Sequence, residues 1–99
     1  MKLFFTLEAE ELAQACDAWW RKNRKASPEL FARELAAARD LVMKVPNIGS
    51  LYATLDGQPV RRVLMKRTRN HLYYVFDAEA DCIVVHAVWG GPKGQGPDL

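Results

Sequence analysis

Arg61, Arg62, Lys66, Arg67 and Arg69 crowd together just before His71, and no acidic residue lies between Arg61 and His71. Cations this close attract a polyanion or an acidic protein surface. With a proton carrier beside them they also suit phosphodiester chemistry. Cleavage of RNA by its own 2′-hydroxyl needs a base, an acid and cations that stabilise charge on the phosphate. His71 titrates near neutrality, so His71 with Arg62 and Lys66 is a candidate catalytic set. Strand alternation works against a single centre. Arg62, Leu64 and Lys66 point one way and Arg61, Val63, Met65 and Arg67 the other, which divides the cations between two faces. The competing reading is a solvated strand edge whose charges discourage pairing with another sheet. His86 sits inside an apolar run and reads as a structural, hydrogen-bonding histidine.

Aromatic residues flank this cluster. Tyr73 and Tyr74 alternate faces, so one is expected in the core and the other exposed, where it can stack on a base. Trp19 and Trp20 project about 100° apart if helical. One then enters the core, and the other sits at the rim of a groove, where tryptophan is a frequent interface anchor. Cys16 and Cys82 have no metal-ligand neighbours and each lies in an apolar stretch, so they read as buried, reduced thiols. The glycine-rich end GGPKGQGPDL matches no phosphate-binding fingerprint, and Lys93 is its only cation. No metal or cofactor is expected.

The elements that must carry these residues follow from periodicity. Residues 2–7 are short, apolar and aromatic, and suit a strand. From Glu8 the period changes: Ala9, Leu12, Ala13, Cys16, Trp19 and Trp20 recur at helical spacing, with Thr6 or its neighbour as cap. Acids open this helix and Arg21, Lys22, Arg24 and Lys25 close it, in keeping with the helix dipole. Ser27 as cap, Pro28 at the first helical position and Glu29 next predict a second helix to about Lys44, with Phe31, Leu35, Ala38 and Val42 on its apolar stripe. So short a link implies an antiparallel helical hairpin. Residues 46–58 read as a connector ending in the turn pair Asp56-Gly57. Strands are expected at 60–67, 71–76 and 82–89, and the last ten residues as a flexible tail.

The expectation is therefore one α+β domain over residues 1–99. Its order is β-α-α-β-β-β, with the helical hairpin on one face of an antiparallel sheet. At 99 residues there is room for one core. A 49% hydrophobic and 26% charged composition excludes disordered and fibrous classes. The first 58 residues carry eight basic and eight acidic side chains, so the small net charge of +2 hides a local basic excess. MKLFFTLEAEEL is neither a signal peptide nor a membrane span, and with reduced cysteines it points to the cytoplasm.

This order, with these words in these places, resembles the RelE/ParE family of bacterial toxin–antitoxin toxins. The matching residues are Glu8-Ala9-Glu10-Glu11-Leu12, Trp19-Trp20, Ser27-Pro28, the Pro46 to Gly49 loop, Val60-Arg61-Arg62, His71-Leu72-Tyr73-Tyr74 and Ile83 to Trp89. The resemblance implies a cognate antitoxin as partner, captured at Trp19, Trp20 and Phe31. It implies target contact through Arg61, Arg62, Arg67, Arg69, Tyr73 and Lys93. RelE-like members cut messenger RNA on the ribosome, whereas ParE-like members resemble them in fold and poison DNA gyrase. Where many relatives end in His-Gly-Arg-Arg, this chain reads Gly90-Gly91-Pro92-Lys93, and no tyrosine, histidine or arginine follows Trp89. The resemblance is thus closer to the gyrase-binding branch than to the nucleases, with a non-toxic member that keeps antitoxin binding as the remaining possibility.

Overall fold

A computed structural model describes residues 1–90 and 96–99 of the chain. Strand β1 (Lys2–Phe5) leads into helix α1 (Leu7–Asn23) and helix α2 (Leu30–Lys44). Four strands follow: β2 (Ser50–Leu55), β3 (Gln58–Met65), β4 (Asn70–Asp77) and β5 (Cys82–Trp89). The architecture is α+β, two helices packed against one face of a five-stranded sheet ordered β1-β5-β4-β3-β2.

Two features of the sheet differ from expectation. Residues 50–55 form a strand where a connector was expected. The SLYATL segment pairs with β3 through a two-residue turn in which Asp56 and Gly57 both have positive φ, 51° and 79°. Such turns match the twist of paired strands, so Asp-Gly closes a hairpin here and does not merely end a loop. The sheet is also mixed, not antiparallel, because β1 runs parallel to β5, with Lys2 opposite Cys82 and Phe5 opposite Val85. The apolar β5 needs a neighbour on its free side, and β1 is the strand left to supply it. The Thr6 N–H then donates to the Val85 carbonyl at 3.0 Å, which delivers the chain directly into α1.

The helices begin differently. Thr6 caps α1, its hydroxyl accepting the Ala9 N–H at 3.1 Å, and Glu8 and Glu10 lie in the first turn. Ser27, expected to cap the second helix, does not. Its carbonyl accepts the Leu30 N–H at 3.2 Å in a separate turn, and α2 starts after Glu29 with no side-chain cap.

The core lies between hairpin and sheet. Ala9 and Ala13 of α1 and Phe31, Ala38 and Val42 of α2 meet Val63, Met65, Leu72, Tyr74, Ile83, Val85 and Val88. A smaller apolar cluster of Val60, Tyr73, Val75 and Ala87 covers part of the opposite sheet face. Both tyrosines of the pair are therefore buried, and the expectation that one would be exposed is corrected. Tyr74 points to the helices and donates to the Pro46 carbonyl at 2.7 Å, while accepting the Gly49 N–H at 3.0 Å.

A bulge in β5 decides which residues share a face. Tyr74 opposes Val85 but Tyr73 opposes Ala87, so His86 is the extra residue. Without it, simple alternation would put Ala87 and Trp89 on the helix side with Val85. With it, Val88 joins the main core and Trp89 turns to the other side.

The end of the chain, where it is described, meets the sheet. Pro97 is buried, and the Tyr52 hydroxyl donates to its carbonyl at 2.7 Å. Leu99 packs on the cluster around Tyr73. Residues 96–99, at the end of the segment expected as a flexible tail, thus have partners on the aromatic sheet face. Residues 91–95, Lys93 among them, lie outside the described residues.

Candidate functional site: an aromatic and arginine-lined groove

The end of α1, the β3–β4 turn and the end of β5 converge on a groove of about 880 Å³. Its walls carry Trp19, Trp20, Arg24, Arg67, Arg69 and Trp89, over a floor that includes Cys16, Asn70 and Gly90. Leu12, Cys16 and Trp19 follow one another at helical spacing of four and three, so a single stripe of α1 faces it. The lining includes three arginines and no carboxylate.

Each wall is held in place. Trp19 and Trp20 meet edge to face with ring centroids 5.9 Å apart. The Arg24 guanidinium lies over both rings, 4.8 Å from Trp19 and 5.8 Å from Trp20. Arg24 is the residue that ends α1, and its N–H donates to the Trp20 carbonyl at 2.9 Å, which aims its side chain back along the helix. Trp20 packs on the main core, while Trp19 is 48% exposed at the rim.

The facing turn, residues 66–69, is fixed from α2. Both oxygens of the Glu34 carboxylate accept backbone N–H groups, from Arg67 and from Thr68, at 2.8 Å each. Burial pushes the Glu34 carboxyl up, but these hydrogen bonds and the Arg67 charge outweigh it, and its pKa falls below the ordinary 4.5. Arg69 closes the turn at φ 63°. On the floor, buried Asn70 accepts the Cys16 thiol at 3.7 Å and donates to the Thr68 carbonyl at 3.4 Å. Burial keeps the Cys16 thiol protonated by raising its pKa. A Cβ at residue 90 would collide with the Asn70 side-chain oxygen, so glycine is needed there.

Compared with known proteins, the chain matches no family model and no curated protein.

The groove unites residues that sequence reading had kept apart. By sequence Trp19 and Trp20 belong to a partner surface and Arg67 and Arg69 to a target surface, yet all four line one cleft. The strand expected at 60–67 ends at Met65, so Lys66, Arg67 and Arg69 all belong to the turn, and the division of cations between faces applies only to Arg61 and Arg62. Arg61 is tied down, its guanidinium donating to the Gly49 carbonyl at 2.8 Å and to that of Asn47 at 3.3 Å. Phe31, expected at the partner surface, is 1% exposed in the core and offers no surface to a partner. Tyr73, expected to touch the target, lies beneath Tyr52 with ring centroids 4.7 Å apart.

The sheet face opposite the helices holds Arg62, Tyr52, Tyr73 and His71. Arg62 lies 5.3 Å over the Tyr52 ring, and the His71 ring is 6.0 Å from that of Tyr73. Burial first, and then the Arg62 charge, pushes the His71 imidazole below its ordinary 6.5. Arg62 and His71 thus share a face, whereas Lys66 sits in the exposed turn beyond the strand. His86 is held in the bulge; burial pushes its imidazole down while Asp56 and Glu8 pull the other way.

Several groove residues gave no advance signal. Trp89 reads as one more residue of an apolar strand until the bulge turns it. Asn70 and Glu34 are ordinary polar residues in sequence, and their roles depend on contacts with partners 54 and 33 positions away.

Proposed function

We propose that this protein is the toxin of a toxin–antitoxin pair, ParE-like, that acts by binding and inhibiting DNA gyrase and is neutralised by a cognate antitoxin. The observation that carries this reading is the groove itself, where apolar tryptophan rings stand beside three arginines and no lining carboxylate. A helical hairpin on one face of a sheet with the order β-α-α followed by a meander supports the RelE/ParE kind of fold.

The groove suits a protein segment better than a nucleic acid. A base needs an open ring face to stack on, and Arg24 already lies over Trp19 and Trp20, which meet each other edge to face. An apolar, acidic segment instead buries side chains against Trp19 and Trp89 and pairs its carboxylates with Arg67 and Arg69. Antitoxin and target contacts then share one groove, and neutralisation is occlusion: the antitoxin fills the space the target requires.

Induced expression in bacteria tests this directly. Growth should stop, purified protein should block gyrase supercoiling, and co-expression of an acidic protein encoded beside it should restore growth. Unimpaired supercoiling at saturating protein sinks the gyrase reading. A second reading is a RelE-like ribosome-dependent endoribonuclease. The closeness of His71 and Arg62 favours it, because an imidazole that is neutral at pH 7 can serve as a base beside a phosphate-binding cation. Cleavage of translated messenger RNA, lost in His71→Ala, distinguishes it. Neither effect, together with tight antitoxin binding, would mark a non-toxic member.

A further inference from the structure

The described end of the chain, Gly96–Leu99, is seated in a shaped slot on the open sheet face. The slot is built from Tyr52 and the cluster of Val60, Tyr73, Val75 and Ala87. Three contacts define it. The Tyr52 hydroxyl donates to the Pro97 carbonyl at 2.7 Å in a partly buried setting. Leu99 contributes an apolar side chain to the cluster. Gly96 lies so close to Tyr52 that a Cβ there would collide with its hydroxyl and come within 3.0 Å of ring atom Cζ. Tyr52 has little freedom to yield, since its ring packs edge-on against Tyr73 and lies under Arg62.

Glycine, proline and leucine each match this place for a separate reason. Glycine permits the close approach, proline restricts the backbone so that less entropy is lost on seating, and leucine supplies apolar area. The slot also adjoins the only described surface where a histidine, an arginine and two tyrosines meet, namely His71, Arg62, Tyr52 and Tyr73.

We infer that the open sheet face carries a peptide-binding slot for this chain's own Gly96-Pro97-Asp98-Leu99 segment, and that the contact is autoinhibitory. With the segment seated, Tyr73 is buried and the Tyr52 hydroxyl is taken up by the Pro97 carbonyl, so a ligand cannot reach this part of the face. With it released, Tyr52 and Tyr73 become a bare aromatic surface beside Arg62 and His71. The slot stands on geometry alone; only its inhibitory consequence rests on the toxin reading.

The test uses the full chain and two full-length variants, Gly96→Ala and Leu99→Asp, treated with a tyrosine-nitrating reagent and mapped by mass spectrometry. Tyr52 should be nitrated several-fold faster in both variants than in the parent. Tyr74, whose hydroxyl is bound within the core, reports folding and should stay unreactive in all three. Equal Tyr52 rates with Tyr74 protected would overturn the slot. If Tyr74 becomes reactive in one variant, the other decides. Inducible expression of the same chains reads the consequence. Growth arrest at lower induction for the variants supports autoinhibition, and arrest at equal induction overturns it. Faster Tyr52 nitration with no arrest from any chain removes the toxin reading and leaves the slot standing.

Discussion

The Glu34 carboxylate on α2 and the backbone of Arg67 in the β3–β4 turn are joined by a 2.8 Å hydrogen bond, paired with a second to Thr68 at the same distance. This is how the helical hairpin holds one wall of the groove, because the turn carries Arg67 and Arg69 and is otherwise exposed.

Glu34→Gln keeps the shape but removes the charge, so stability should fall by about 1 kcal/mol at neutral pH. The pH dependence has a definite sign. The folded carboxyl has the lower pKa, so the unfolded chain binds more protons and stability rises with pH across this range. The contribution is complete above about pH 4.5 and is lost as acid carries the pH down through the folded value. Melting temperatures of parent and Glu34→Gln measured from pH 3 to 7 (on the order of the carboxylate range) should converge at the acid end. Parallel curves would contradict this role.

Arg61 should behave unlike Arg67 and Arg69. Its guanidinium ties β3 to the carbonyls of Asn47 and Gly49, so Arg61→Ala should lower stability by about 1 kcal/mol. Arg67→Ala and Arg69→Ala should leave the unfolding midpoint in place, since both side chains are exposed, while abolishing target action. Urea titration beside the supercoiling assay separates the two effects.

Trp19→Ala should weaken partner capture by at least tenfold with little loss of stability, as its ring is a half-exposed rim anchor. Val42→Ala should do the reverse. Val42 is fully buried beneath the sheet, and truncating it should cost about 1–4 kcal/mol while an intact fold still binds. Denaturation and titration calorimetry on the same two variants check both halves of the contrast.

His71 offers a test of the open sheet face. Its imidazole is held below 6.5 by burial and, to a lesser degree, by Arg62. Arg62→Ala should therefore raise the His71 pKa part of the way back, as read by NMR titration of its ring protons. Because the folded imidazole resists protonation more than the unfolded one, His71 lowers stability as pH falls through 6.5. An unmoved titration curve would separate Arg62 from His71 and remove the basis for the nuclease alternative.

Much of the framework was legible from periodicity. The α1 stripe of Ala9, Ala13 and Cys16, its Thr6 cap and the apolar run Cys82–Trp89 all report local preferences and burial, which a linear pattern records. Strand β2 was missed because SLYATL is short and has only modest alternation; its pairing with β3 across Asp56-Gly57 makes it a strand. The second helix was legible, but its cap was not, since Ser27 is drawn into a preceding turn.

By itself, the sequence determined the helical hairpin, the strand-rich second half, and the residue types able to bind: Trp19 and Trp20, a basic run and the pair Tyr73-Tyr74. Tertiary structure alone decided which of them meet. One extra residue at His86 turns Trp89 out of the main core, the Glu34 carboxylate holds the turn that brings Arg67 to the same groove as Trp19 and Trp20, and Tyr52 receives a segment 45 residues away. These relations join residues distant along the chain through register and packing, and neither composition nor periodicity encodes a distance between them.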